Sequence, residues 1–170
     1  VANYNGDVPN ITYTTNTGST VCTDVTDGYY ASNSGGVAKG SGATHQFACP
    51  PGKYGESTQT DRFSCISCVA GKYAPGASLA SCQSVPAGSF AANTDGANVI
   101  SEASQQVPCP VGRWAAADSN AQYDTMCTAC PQGKSVSVGQ GDSQGNCSAC
   151  AAGKYADNTG TGGMACTDCL

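Results

Sequence analysis

The sequence predicts an elongated chain of small disulfide-rich repeats, mostly β-hairpin, turn and coil, with little or no helix. Three observations carry this. A cysteine followed by Gly at +3, a basic or small polar residue at +4 and an aromatic at +5 recurs along the chain. It stands most plainly in Cys150-Ala151-Ala152-Gly153-Lys154-Tyr155, and recurrence of this kind is the mark of a repeat architecture. Val, Ile, Leu and Phe together make up about 12% of the 170 residues, below the ~20% that an ordinary core needs. Twelve cysteines offset that shortage, because units too small for a core are held by disulfides or metals.

Composition excludes several functions. The net charge is −5 with only seven Lys and Arg, so the clustered cations that neutralise nucleic-acid phosphates are missing. No run approaches the ~20 apolar residues of a membrane span, so no direct membrane insertion is expected. The first residue is Val1, with no charged and apolar leader behind it, which reads as a mature product or a segment of something longer.

In chain order, residues 1–21 read as a Thr-, Asn- and Gly-rich linker that completes a unit with a neighbouring copy. The linker contains Asn10-Ile11-Thr12, an N-glycosylation acceptor in a secreted protein. Seven cysteine-rich units follow over 22–169, bounded as 22–48, 49–64, 65–81, 82–108, 109–126, 127–146 and 147–169. Their aromatics are Tyr30, Tyr54, Tyr73, Phe90, Trp114 and Tyr155, with Ser135 taking the slot in the sixth unit. Gly suits a turn that needs φ > 0, and Pro at +1 (Pro50, Pro86, Pro110, Pro131) pre-sets φ there. The aromatic is expected to cover the adjoining disulfide and stack on the next unit. Lys53, Lys72, Lys134 and Lys154 are expected to lay their stems along the aromatic row with exposed charges.

Internal comparison fixes a cysteine pairing. Val25 stands where the second cysteine of a C-x-x-C belongs, and Gln46 where the next first cysteine belongs. The same double loss recurs at Val85 and Gln106. Partners of one bond are lost together, since losing one alone leaves a stray thiol. The rule predicts Cys49–Cys65, Cys68–Cys82, Cys109–Cys127, Cys130–Cys147 and Cys150–Cys166. Cys169 then needs a partner downstream and Cys22 one upstream. Joining the end to the start gives Cys169-Leu170-Val1-Ala2-Asn3-Tyr4, with Tyr4 in the aromatic slot and Ala2 in place of Gly. The expectation is a head-to-tail array with Cys169 bonded to Cys22 of the neighbouring copy, in one long chain or between subunits. An intramolecular Cys22–Cys169 bond is the plainer alternative.

Sharper chemistries fit less well. Cys127-x-x-Cys130 with Cys147-x-x-Cys150 matches a zinc ribbon, but Cys147/Cys150 with Cys166/Cys169 matches it too and the two sites would share ligands. A thioredoxin-like use of the C-x-x-C pairs lacks a βαβ context. His45 reads as a surface loop residue with no triad around it, and Asp142, Asn146 and Asp157-Asn158 as solvated turns rather than calcium loops. Asn146-Cys147-Ser148 is formally a glycan acceptor that a bonded Cys147 would hinder. No catalytic residue, metal or cofactor is expected, and the only additions are an N-glycan and O-glycans on the many Ser and Thr.

At Cys147-Ser148-Ala149-Cys150-Ala151-Ala152-Gly153-Lys154-Tyr155 and Cys49-Pro50-Pro51-Gly52-Lys53-Tyr54 the chain resembles the cysteine-rich repeats called ephrin-receptor-like or growth-factor-receptor-like. It looks most like the long versions in surface proteins of ciliates and heterokont algae, including immobilisation antigens. The resemblance covers residues 22–169, with departures at Val25, Gln46, Val85, Gln106 and Ser135. It implies an extracellular, disulfide-rich surface protein. The function expected is an extracellular structural protein, a glycosylated rod assembling with copies of itself into a fibre or coat. The alternative is a receptor-type ectodomain stalk or ligand-binding module.

Overall fold

The computed structural model describes residues 12–16, 19–56, 63–117, 127–158 and 164–170. Among them the chain is a series of eight two-stranded antiparallel hairpins with one 3-10 turn, Gln144–Asn146, and no α-helix. In order, β1 (Thr12–Tyr13) pairs with β2 (Thr23–Asp24), and β3 (Tyr29–Ser32) with β4 (His45–Ala48). Next, β5 (Lys53–Tyr54) pairs with β6 (Ile66–Ser67), and β7 (Lys72–Tyr73) with β8 (Gln83–Ser84). Then β9 (Ser89–Ala92) pairs with β10 (Gln105–Pro108), and β11 (Arg113–Trp114) with β12 (Thr128–Ala129). Finally β13 (Lys134–Ser135) pairs with β14 (Ser148–Ala149), and β15 (Lys154–Tyr155) with β16 (Thr167–Asp168). The fold is small, disulfide-rich and hairpin-based, as the repeat pattern leads one to expect.

The residue pattern explains each hairpin. The basic-aromatic pair is one strand, and the two residues inside the following C-x-x-C are the other: Lys53 faces Ser67 and Tyr54 faces Ile66. A boundary drawn at Cys65 therefore separates a C-x-x-C from the strand it pairs with. Two compact units form, residues 1–68 with 74–82 and residues 69–73 with 83–170. The first holds three hairpins and a cluster of Val25, Ala31 and Ala43 under Tyr13 and Tyr29. The second holds five hairpins and three clusters, built on Val85/Ala91/Ala103, on the Cys109–Cys127 bond with Ala115, and on the Cys130–Cys147 bond with Val136.

The turn before each strand departs from expectation in one detail. The Lys53 N–H donates to the Pro50 carbonyl, and the same bond joins Arg113 to Pro110 and Lys134 to Pro131. Pro50, Pro110 and Pro131 thus open their four-residue turns, with Pro51, Val111 and Gln132 in the second position, and Gly sits third at positive φ, as a type II turn requires. His45 is also not in a loop; it starts β4 opposite Ser32.

The two cysteine-poor stretches form the longest hairpins, with four-residue strands. Their loops share one device. Asn33 Oδ1 accepts from the N–H groups of Gly35 and Val37 at 3.0 Å, and Asn93 Oδ1 from those of Asp95 and Ala97 at 3.0 Å. The side chain supplies what the missing crosslink does not, by satisfying loop N–H groups locally. Asn93→Ala is expected to remove about 1–2 kcal/mol of local stability. Amide exchange at residues 93–98 should quicken while the rest of its unit keeps its protection. Unchanged exchange there would show that strand pairing alone orders the loop.

Candidate assembly site

All twelve cysteines lie among the described residues. Ten form Cys49–Cys65, Cys68–Cys82, Cys109–Cys127, Cys130–Cys147 and Cys150–Cys166, with sequence separations of 14 to 18. Cys22 and Cys169 are free and exposed. At the vacated slots, Val25 and Val85 are buried. A hydrogen-bonded pair stands beside Val25 in place of a crosslink: the Thr26 N–H donates to Gln46 Oε1 at 2.8 Å and Gln46 Nε2 to Thr26 Oγ1 at 3.2 Å.

Within each compact unit, consecutive repeats are joined by a relay through the template glycine. Its carbonyl accepts from the second C-x-x-C position: Cys68 on Gly52, Val85 on Gly71, Cys109 on Gly88, Cys130 on Gly112 and Cys150 on Gly133, at 2.7–2.9 Å. Its N–H donates to the carbonyl one residue past the next aromatic: Gly28 to Gly55, Gly52 to Ala74, Gly88 to Ala115, Gly112 to Val136 and Gly133 to Ala156, at 2.6–3.0 Å. Gly71 is the exception, since the carbonyl in that position, Ala91, takes the Val99 N–H from its own long loop.

Side chains follow the same order. Phe90 packs on the Cys109–Cys127 bond and Ala115 of the next repeat, and Trp114 on the Cys130–Cys147 bond and Val136. Tyr73 covers Val85 and Ala91, where valine replaces the cysteine. Tyr13 covers Val25 and Ala31 in the same way, and it faces Thr23 across the β1–β2 pair. The aromatic slot of the first hairpin is therefore filled by Tyr13, whereas Tyr4 lies outside the described residues. The sequence carries a signal for Tyr13: Val8-Pro9 precedes Tyr13 at the same spacing as Val85-Pro86 precedes Phe90.

Tyr30 is half-buried, 6.4 Å from Phe47 between ring centroids, and its hydroxyl donates to the Gly36 carbonyl. Tyr54 is half-buried in β5. Lys72 Nζ donates to Ser84 and Lys154 Nζ to Asp168 across their hairpins; the latter pair is exposed and worth under about 1 kcal/mol. In the sixth repeat, Ser135 Oγ donates to the Met164 carbonyl at 2.6 Å. Asn158, expected in a solvated turn, is instead buried. Its amide donates to the Pro131 and Lys134 carbonyls and its Oδ1 accepts from the Met164 N–H. Asn146 is exposed and accepts from Ser143, while Asn10 lies outside the described residues. An open depression of about 300 Å³ lies beside Tyr30, Pro50, Lys53 and Phe63. No group of three or more His, Cys, Asp or Glu side chains suited to a metal ion occurs among the described residues.

Compared with known proteins, no family model and no curated protein matches the chain. Five disulfides fit a protein made for an oxidising compartment. No helix among the described residues is long and apolar enough to cross a membrane.

Proposed function

We propose that this is a secreted or cell-surface structural protein whose copies join head-to-tail into a fibre or coat. The observation that supports it is the pair of exposed thiols left over from an otherwise fully bonded cysteine series. One comes after the last bond in sequence and the other before the first. Joining Cys169 of one copy to Cys22 of the next continues the same pairing rule. Exchange with glutathione disulfide suffices chemically: the two thiols lose two protons and two electrons, and the oxidant becomes two glutathione thiols. A heterologous contact of this kind propagates into an open filament wherever its rotation does not close into a ring. Glycans on Asn10 and on surface Ser and Thr would keep such an assembly soluble.

Gel electrophoresis of deglycosylated, oxidised protein tests this. A ladder of multiples that collapses to a 16.9 kDa species on reduction is the expected result. A 16.9 kDa species alone in both lanes would remove the covalent array and favour a receptor-type module.

A further inference from the structure

We infer that the last repeat and the first hairpin are two halves of one more repeat interface, and that the occupant of each is a second copy of this chain. The inference rests on the head-to-tail reading and specifies its geometry. Three features of the last repeat match what the internal interfaces use. Tyr155 is 45% exposed, whereas Tyr73, Phe90 and Trp114 are partly buried on the repeat that follows each. The Gly153 carbonyl is satisfied by the Cys169 N–H. Its own N–H, at φ +85° like its counterparts, has no acceptor among the described residues. Cys169 holds a free thiol where the bonded Cys130 and Cys150 open the next repeat.

The first hairpin carries the complements. Tyr13 holds the aromatic slot, so Thr14 stands one residue past it, where Ala74, Ala115, Val136 and Ala156 are buried. Each of those residues accepts the glycine N–H of the repeat before it; the Thr14 carbonyl receives none among the described residues. Thr14 is half-exposed, and its N–H already donates to Ala43 as Ala115 donates to Gly141. Cys22 holds the closing position that Cys127 and Cys147 hold elsewhere, and its thiol is free. The junction therefore places the Gly153 N–H on the Thr14 carbonyl and the Tyr155 ring over a Cys169–Cys22 bond and Thr14.

The test uses the full chain as an equal mixture of 14N- and 15N-labelled protein in a glutathione redox buffer. The quantity read is the equilibrium yield of mixed-isotope Cys22–Cys169 peptide. Tyr155→Ser should lower the equilibrium constant for that bond about tenfold, because it removes the aromatic cover. Its own hairpin should survive, since Ser135 holds the same slot in a paired strand; peptide mapping of the five internal bonds checks this. Thr14→Lys, which puts a charge where the counterparts are buried, should lower it at least as much. Val138→Ser, at a position 58% exposed, should leave the wild-type value. If both junction variants bond like wild type, this geometry is wrong while the head-to-tail reading stands. If wild type gives no Cys22–Cys169 bond, or only single-isotope peptide, both fall.

Discussion

Reduction of the five disulfides is expected to unfold both compact units, not merely loosen them. The buried clusters are small: Val25, Ala31 and Ala43 in one unit; Val85, Ala91 and Ala103 among those of the other. Two of the remaining clusters are built on the bonded cysteines themselves, Cys109 and Cys127, Cys130 and Cys147. Alanine buries little apolar surface, so the hydrophobic term is small throughout. Loops of 14 to 18 residues are each worth about 3 kcal/mol in the chain-entropy model, on the order of 15 kcal/mol for five. That matches the whole net stability of an ordinary domain, about 5–15 kcal/mol. Amide exchange supplies the readout, because Cys68, Cys109, Cys130 and Cys150 donate their N–H groups to template glycines. In the reduced and alkylated chain these amides should exchange at unfolded rates. Slow exchange there would mean that the hydrogen-bond relay holds the fold and the crosslinks are secondary.

The disulfide register was legible because the sequence contains its own controls. A bond has two ends, so Val25 with Gln46 and Val85 with Gln106 mark lost bonds, and the ten cysteines from Cys49 to Cys166 pair in the structure as that rule pairs them. Hairpin position was legible for a related reason: the glycine, the basic residue and the aromatic each occupy one backbone role, repeated many times. What escaped were contacts made once or twice through polar side chains. Asn158 reaches back 24 and 27 residues to Lys134 and Pro131, and no periodicity announces such a contact. The Asn33 and Asn93 turns recur 60 residues apart, but within loops whose surrounding sequences differ (Ser34-Gly35-Gly36 against Thr94-Asp95-Gly96). Tyr13 escaped because Tyr4 satisfied the cysteine spacing when the chain was wrapped, and spacing counted from Cys169 hid the nearer match to Val85-Pro86.

Replacing Gly88 by alanine is expected to be among the most damaging single substitutions in the chain, at about 2–4 kcal/mol. Three constraints meet at this residue. Its φ of +76° disfavours any side chain, a cost of roughly 1 kcal/mol by itself. Its N–H is bonded to Ala115 and its carbonyl to the Cys109 N–H, so the peptide planes cannot rotate to relieve the strain without giving up a bond. A Cβ built there would lie 2.4 Å from the Gly139 carbonyl oxygen and 2.8 Å from its carbon. Gly139 cannot easily withdraw, since its own N–H is bonded to the Cys109 carbonyl at 2.9 Å. Gly42 separates strain from collision: it also has positive φ, 64°, but a Cβ there would meet nothing within 4 Å. Gly42→Ala should therefore cost only the conformational ~1 kcal/mol. Denaturant midpoints of the two variants with disulfides intact decide the matter. Equal midpoints would mean that the glycine is kept only for its turn. A clear gap would mean that the repeats need it because two backbones approach each other there more closely than any side chain permits.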